Sequence, residues 1–190
     1  ATLDGGSGLD TLVVVGSNNL VVDLTESSSS ENQIKTITNG TASSATGATV
    51  KNFENVDASS STGNITIIGT DDSGSISTAM DTKGGEGNDV ISGGSVADII
   101  SGELGSDNLK GFAGNDNISG GSGSDIITGG LGADTLRGGD GSDTFIFASA
   151  DLETDASNAI DSILDLSSGE KIGLDTGITW KGLNSSAEGN

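Results

Sequence analysis

The sequence predicts an all-β fold: a parallel β-roll, or β-solenoid, preceded by an irregular β region and followed by a small capping segment. The main observation is an aspartate that recurs every nine residues from Asp89 to Asp143. Each of these aspartates closes a glycine-rich hexapeptide, and an apolar residue follows two positions later. A fixed short period is typical of a solenoid, in which each repeat adds one unit to a continuous stack.

The regular array covers residues 84–146 and consists of seven nonapeptides of the form G-G-x-G-x-D-x-U-x, where U is apolar. Glycine adopts left-handed backbone angles without strain, so the first part of each repeat is predicted to be a turn. The last residues favour a short strand whose U residue points inward. Two repeats then make one coil, and residues 18 apart stack about 4.8 Å from each other. The aspartates are Asp89, Asp98, Asp107, Asp116, Asp125, Asp134 and Asp143, and the U residues are Ile91, Ile100, Leu109, Ile118, Ile127, Leu136 and Phe145.

The two flanking regions are less regular. Residues 5–13 form one good nonapeptide, and 17–22 echo it with Asn19 in the aspartate position, before β-prone runs separated by Ser, Thr, Asn and Gly. After the array, residues 160–166 and 171–174 are predicted to form two short strands. We therefore divide the chain into an irregular β-solenoid-like region with degenerate repeats (1–83), the β-roll (84–147) and a C-terminal capping segment (148–190).

The composition restricts the partners. The formal net charge is −21, and only 7 residues are Lys or Arg. Such a charge repels itself in a compact state unless cations neutralise it. The basic residues form no patch, so nucleic acid is not an expected partner, and no apolar run has the length of a membrane span. The chain begins without methionine, and we expect it to adjoin neighbouring domains of a larger parent chain.

The 18-residue stacking predicts a metal. Carboxylates one coil apart repel each other unless a cation lies between them. Carboxylate and carbonyl oxygens form a flexible cage that suits calcium better than magnesium, and the chain has no histidine or cysteine for zinc. Seven repeats contain five pairs of aspartates 18 residues apart, so we predict about five calcium ions. A sixth is expected if Asp71 pairs with Asp89, whereas Asp10 has no downstream aspartate at this spacing.

The array resembles the RTX repeats, the calcium-dependent parallel β-rolls of proteins exported by type I secretion. In that family, an ion takes the carbonyls of positions 2 and 4 and the aspartate of one repeat. The carbonyls of positions 1 and 3 and the aspartate of the repeat one coil later complete the site. The resemblance implies five ligand sets: Gly85, Gly87, Asp89, Gly102, Leu104 and Asp107; Gly94, Val96, Asp98, Gly111, Ala113 and Asp116; Glu103, Gly105, Asp107, Gly120, Ser122 and Asp125; Phe112, Gly114, Asp116, Gly129, Leu131 and Asp134; and Gly121, Gly123, Asp125, Gly138, Asp140 and Asp143.

Three repeats depart from the glycine pattern. Val96 replaces the third glycine of its repeat, and Glu103 and Phe112 each replace the second. A carbonyl ligand survives any substitution, but the backbone angles of the turn depend on glycine. We therefore expect the fifth site to be better formed than the second, third and fourth.

The absence of histidine and cysteine removes the common catalytic triads and dyads, and we expect no enzyme activity in this chain. The resemblance implies a calcium-dependent folding module of a secreted bacterial surface protein, an RTX adhesin, ordered by calcium after type I secretion. Three alternatives stay open: an RTX module of a secreted S-layer protein, one of an extracellular protease, lipase or epimerase, and a calcium-dependent polysaccharide-binding module. Contact with a cell surface or a polysaccharide is a candidate interaction.

Overall fold

The computed structural model describes residues 2–4, 9–15, 20–23, 36–39, 49–51, 55–69, 79–147 and 160–174. Within these ranges the chain forms seventeen strands and no helix. The strands are β1 (Thr2–Asp4), β2 (Thr11–Val13), β3 (Leu20–Asp23), β4 (Thr36–Asn39), β5 (Thr49–Lys51), β6 (Asn55–Asp57), β7 (Ile65–Ile68), β8 (Asp81–Glu86), β9 (Val90–Ser92), β10 (Ile99–Leu104), β11 (Asn108–Ala113), β12 (Asn117–Gly123), β13 (Ile126–Leu131), β14 (Thr135–Gly141), β15 (Thr144–Phe147), β16 (Ser162–Ile163) and β17 (Lys171–Leu174).

Two large sheets hold most of these strands. The first sheet has the order β16-β14-β12-β10-β8-β6-β2, and the second has the order β17-β15-β13-β11-β9-β7-β3-β4. Neighbouring strands are parallel except for β3 and β4, and β1 and β5 form a separate parallel pair. From β6 to β17, successive strands alternate between the two sheets, so the chain winds around a shared core. This arrangement confirms the predicted parallel β-roll.

The register of the array is 18 residues. Ile100 pairs with Ile118 in the first sheet, and Leu109 pairs with Ile127 in the second. One nonapeptide therefore spans one turn and one strand, and two nonapeptides complete a coil. Residues that share a repeat position two repeats apart lie directly above one another, as the sequence predicts.

The core is a single column of apolar side chains between the two sheets. The U residues of all seven repeats are buried, with relative exposures of 0–1%. Leu12, Val56 and Ile65, from the region before the array, belong to the same apolar cluster. The three-part division of the chain stays a prediction, and the strands on both sides of residue 84 pack in the same two sheets.

Two strands of the capping segment continue the roll. Thr135 in β14 pairs with Ser162 in β16, and Thr144 in β15 pairs with Lys171 in β17. Both offsets are 27 residues, which is one coil plus one further nonapeptide length. The cap therefore adds another coil to the end of both sheets.

Candidate metal centre

The seven aspartates of the array are buried. Their relative exposures are 0–2%. Each lies directly before a strand, at the point where the glycine-rich turn ends, so the turn and the roll edge enclose its carboxylate. A buried ionised carboxylate is costly unless it is paired or binds a metal. The positions of the seven aspartates are therefore positions at which the fold needs a compensating charge.

Hydrogen bonds join these aspartates along each edge of the roll. The Oδ1 atom of one aspartate accepts a hydrogen bond from the backbone N–H of the aspartate one coil earlier, and we call this series the aspartate ladder. The donor–acceptor distances are 2.7 Å for Asp89 to Asp107, 2.8 Å for Asp98 to Asp116, 2.8 Å for Asp107 to Asp125, 2.8 Å for Asp116 to Asp134 and 2.9 Å for Asp125 to Asp143. The structure thus brings together the five aspartate pairs that the sequence predicts.

The second carboxylate oxygen has a different environment. In the described part of the chain, buried Oδ2 atoms accept no hydrogen bond in Asp89, Asp107, Asp116, Asp125 and Asp143. A buried oxygen without a donor costs about 1–3 kcal/mol, and more when it is charged. A hard cation such as calcium binds to carboxylate oxygens of this kind.

In four of these five aspartates, all except Asp143, the free oxygen lies beside a backbone carbonyl of the next coil at the first glycine of the repeat. A Cβ on Gly120 would overlap Oδ2 of Asp125 and lie 2.6 Å from the carbonyl oxygen of Gly138. Asp125 and Gly138 are both predicted ligands of the fifth site. Corresponding pairs converge at the other four predicted sites: Asp89 with Gly102, Asp98 with Gly111, Asp107 with Gly120, and Asp116 with Gly129. This shared space explains why position 1 is glycine in every repeat of the array.

Burial raises the pKa values of five of the seven array aspartates. It is the largest cause at Asp116, where burial and the nearby carboxylates of Asp134, Asp98 and Asp161 together raise the pKa to about 7. The pKa values of Asp107 and Asp125 are raised to about 6, again mainly by burial. The pKa values of Asp89 and Asp98 are raised in the same direction by burial. The charged form of the ladder is therefore unfavourable without a compensating cation.

The turns place the other predicted ligands. These residues occupy positions 1–4 of their repeats, in 85–87, 94–96, 102–105, 111–114, 120–123, 129–131 and 138–140. In six of the seven repeats, the residues at positions 2 and 4 have a positive φ. Glu103 and Phe112 keep this conformation, with φ values of 78° and 79°, although neither is glycine. The turns of the third and fourth predicted sites therefore have the same backbone form as the fifth.

The repeat 93–101 is the exception. Neither Gly94 nor Val96 has a positive φ. The N–H of Gly94 instead donates a hydrogen bond of 2.5 Å to Oδ2 of Asp98, the oxygen that is free in the neighbouring aspartates. The second predicted site is therefore the one whose turn differs, as expected from Val96, whereas the expectations of poorer turns at Glu103 and Phe112 are not met by the backbone.

Side chains alone do not make a metal site here. Among the residues that the structure describes, no three Asp, Glu, His or Cys side chains form a group that could hold an ion. Each roll edge contributes two aspartates per coil step, so backbone carbonyls must supply the remaining oxygens. The free Oδ2 atoms, the converging carbonyls and the oxygen-only donor set together fit calcium. The individual ligand assignments stay predictions.

The ends of the ladder contain residues that the sequence pattern did not predict. Asp161 in the cap accepts a hydrogen bond of 2.9 Å from the N–H of Asp134, as the next aspartate of the ladder would. Its 27-residue separation from Asp134 hid it from a search at 18 residues. At the other end, the N–H of Ile65 donates to Oδ1 of Asp89 at 2.7 Å. The register thus places Ile65 one coil before Asp89, and Asp71 lies outside the described residues.

A comparison with protein families gives the array a name. A family model described as the RTX calcium-binding nonapeptide repeat (4 copies) matches residues 83–109 and 110–145. Residues 83–145 are RTX calcium-binding repeats. RTX repeats bind calcium, and this RTX array contains all seven ladder aspartates, while the number of ions stays a prediction. No curated protein matches the chain. None of the described residues belongs to a helix that is long and apolar enough to cross a membrane.

Proposed function

We propose that this chain is a calcium-dependent folding module of a secreted bacterial surface protein of the RTX adhesin type. Calcium ions bind between the coils after type I secretion and order the roll outside the cell. The proposal rests on the aspartate ladder, in which buried aspartates one coil apart are joined by hydrogen bonds to Oδ1. In four of the five pairs, the aspartate that comes first in the chain also has a buried Oδ2 that accepts no hydrogen bond in the described structure.

Electrostatics supports calcium as a folding switch. Without a cation, the glycine-rich chain with a net charge of −21 has little to offset the repulsion of its buried carboxylates. A ligand that binds only the folded state stabilises that state by mass action. Extracellular calcium modules work with dissociation constants on the order of 10⁻⁴–10⁻³ M, so such a chain stays unfolded in a calcium-poor cytosol and folds outside.

The extracellular location rests on the RTX repeats, which are typical of proteins exported by type I secretion. The adhesin assignment is one of several parents that use such repeats, and an S-layer protein or an extracellular protease, lipase or epimerase are the others. The sequence that flanks the module discriminates among them. Tandem immunoglobulin-like repeats support an adhesin, a catalytic domain supports an enzyme, and a lattice-forming solenoid supports an S-layer protein.

We further propose that the module itself is not catalytic. The sequence has no histidine or cysteine, and its buried carboxylates are already required by the ladder. Polysaccharide binding is a weaker alternative, because aromatic residues make up 3% of the chain and supply few stacking surfaces.

Circular dichroism of the full 190-residue chain tests the folding switch. We expect a disordered spectrum in chelator and a steep gain of β signal on addition of calcium, with little gain from magnesium at the same concentration. An equal β signal in excess chelator would overturn the proposal.

A pair of variants separates ladder carboxylates from general acidity. Asp125→Asn removes a buried charge from the ladder and should shift the calcium midpoint upward. Asp140→Asn removes an exposed charge from a neighbouring turn but keeps the carbonyl that is predicted to bind, so its midpoint should match that of the wild type. Equal shifts in both variants would indicate that net charge, and not the ladder, controls folding.

A further inference from the structure

The last described coil contains a nonapeptide that the sequence pattern does not reveal. In the second sheet, Thr144 pairs with Lys171 and Phe145 pairs with Ile172. This register aligns residues 165–173 with 138–146, so Glu170 stands one coil above Asp143 and Ile172 stands above the U residue Phe145. The N–H of Lys171 donates a 2.8 Å hydrogen bond to the carbonyl of Asp143, which repeats the 2.8 Å bond from Thr144 to Asp125.

In each of the five array pairs, we call the aspartate that comes first in the chain the lower one and its partner the upper one. The Oδ2 atom of Asp143 differs from that of a lower aspartate. In those pairs, Oδ2 of the lower aspartate faces the next coil across the first glycine of its own repeat. Asp143 is the upper aspartate of the fifth pair and uses Oδ1 to accept from Asp125. Its Oδ2 overlaps the Cβ position of Gly138, is fully buried and accepts no hydrogen bond in the described structure. In the array pairs the corresponding oxygen lies beside a carbonyl of the next coil, and the next coil after Asp143 is the one that carries Glu170.

The opposite carboxylate comes from Glu170. Asp165, the other acid of this coil, is already engaged, because it accepts hydrogen bonds of 3.0 Å from the N–H groups of Gly138 and Gly139. Glu170 is half-buried, and among the residues that the structure describes its carboxylate accepts hydrogen bonds from the N–H and Oγ of Ser167, within its own turn. Glu170 also borders an open groove of about 480 Å³, so an ion reaches it from solvent without opening the roll.

One feature distinguishes this step of the stack from those inside the array. The atoms closest to the Cβ position of Gly138 all belong to Asp143, whereas at Gly120 a carbonyl of the next coil lies among them at 2.6 Å. No carbonyl of the next coil lies closer to that position than the Cβ atom of Asp143, at 3.1 Å. A glutamate carboxylate reaches one methylene further from the backbone than an aspartate carboxylate does.

We propose that Asp143 and Glu170 hold a further calcium ion that joins the last RTX repeat to the capping segment. This inference rests on the proposed calcium binding of the array and adds a site that uses a glutamate from outside the matched repeats. The bound ion ties the final coil to the array and protects the end of the core from solvent.

Calcium stoichiometry of the full chain, measured by equilibrium dialysis, tests the site. Glu170→Gln should bind one ion fewer than the wild type. Glu86→Gln is the matched control, because it removes the same charge from an exposed residue of the first repeat that belongs to none of the five ligand sets, and it should bind as many ions as the wild type. Glu170→Asp, which keeps a carboxylate, should retain the ion with weaker affinity.

A second variant keeps the test decisive if Glu170→Gln fails to fold. Asp143→Asn should lose two ions, one shared with Asp125 and one shared with Glu170. A loss of a single ion from Asp143→Asn, or no loss from a folded Glu170→Gln, overturns the junction site and leaves the array sites intact. A wild-type chain that binds no calcium overturns the proposed function itself, so the two failures are distinguishable.

Discussion

The backbone N–H of Asp98 donates a hydrogen bond of 2.8 Å to Oδ1 of Asp116, the aspartate 18 residues later. This bond fixes the carboxylate of Asp116 against the coil below. Its Oδ2 atom remains buried without a donor and faces the carbonyl of Gly129 in the coil above. One side chain therefore contacts two successive steps of the stack, and its removal should affect both.

The number of ions lost should depend on the position of an aspartate in the ladder. Asp116 belongs to the second and fourth predicted sites, whereas Asp89 belongs only to the first because Ile65 stands below it. Asp116→Asn should therefore lower the calcium stoichiometry by two ions and Asp89→Asn by one, as measured by equilibrium dialysis. Both side chains are 1% exposed, so they are matched in burial. Equal losses would contradict the 18-residue sharing.

The apolar column should determine stability even in saturating calcium. Ile118 is fully buried between the sheets, and Ile118→Ala should lower the free energy of unfolding by about 2–5 kcal/mol because it leaves a cavity. Ile126 is 41% exposed on the outer face of β13, so Ile126→Ala serves as the control and should cost much less. Urea unfolding at saturating calcium measures both. Similar losses for the two variants would show that the inward orientation is wrong.

A glycine in place of Val96 should strengthen calcium binding at the second predicted site. The repeat 93–101 lacks the positive φ angles of the other repeats, and Gly94 occupies the oxygen of Asp98 that is free elsewhere. Val96→Gly allows the common turn and should strengthen calcium binding at the second site, seen as a tighter step in isothermal titration. Ala97→Gly adds the same backbone freedom to the unfolded chain, which costs about 0.4–1 kcal/mol, without this benefit. Identical titrations for the two variants would contradict the role of Val96.

Acid and calcium should act in opposite ways on the roll. Burial raises the pKa of Asp116 to about 7 and those of Asp107 and Asp125 to about 6, from 3.8. Between pH 3.8 and the raised pKa values, the folded metal-free chain binds more protons than the unfolded chain. The stability of the metal-free fold therefore falls as pH rises through this range. Calcium requires the ionised carboxylates, so its affinity should rise over the same range.

The β signal of metal-stripped protein in circular dichroism between about pH 4.5 and 7.5 measures the first effect, and calcium titrations at the same pH values measure the second. We expect the metal-free chain to be disordered at pH 7.5 and to gain β signal toward the acidic end, where these carboxylates are protonated. A metal-free β signal that increases steadily toward pH 7.5 would rule out raised pKa values for Asp107, Asp116 and Asp125.

The sequence predicts the regular part of the roll because one physical cause sets its period. A turn that needs glycine, a buried carboxylate and an inward apolar residue must recur together, so Asp107, Asp116 and Asp125 reveal both the coil length and the ladder. The position-1 carbonyl is a ligand that the RTX resemblance implies, and the structure shows that the first glycine leaves room for Oδ2 beside it.

The remaining features depend on contacts that no period records. The register places Asp161 one coil after Asp134 and Glu170 one coil after Asp143, at a separation of 27 residues and not 18. The side chain of Asp165 accepts hydrogen bonds from the N–H groups of Gly138 and Gly139, where a neighbouring strand would offer backbone carbonyls. A pattern of residue types does not predict this contact. Glu103 and Phe112 have positive φ values although neither is glycine, whereas Val96 does not adopt a positive φ.

Crystals of the chain grown with calcium, with anomalous scattering to locate the ion, test most directly whether calcium lies between the coils. We expect an ion between Asp107 and Asp125 at the first glycine of the repeat, roughly 2.3–2.6 Å from Oδ2 of Asp107 and from the carbonyl of Gly120. Corresponding ions should recur at each coil step along both edges of the roll. Carboxylates that turn away from this space, or density there without an anomalous signal, would show that the aspartate ladder does not bind calcium.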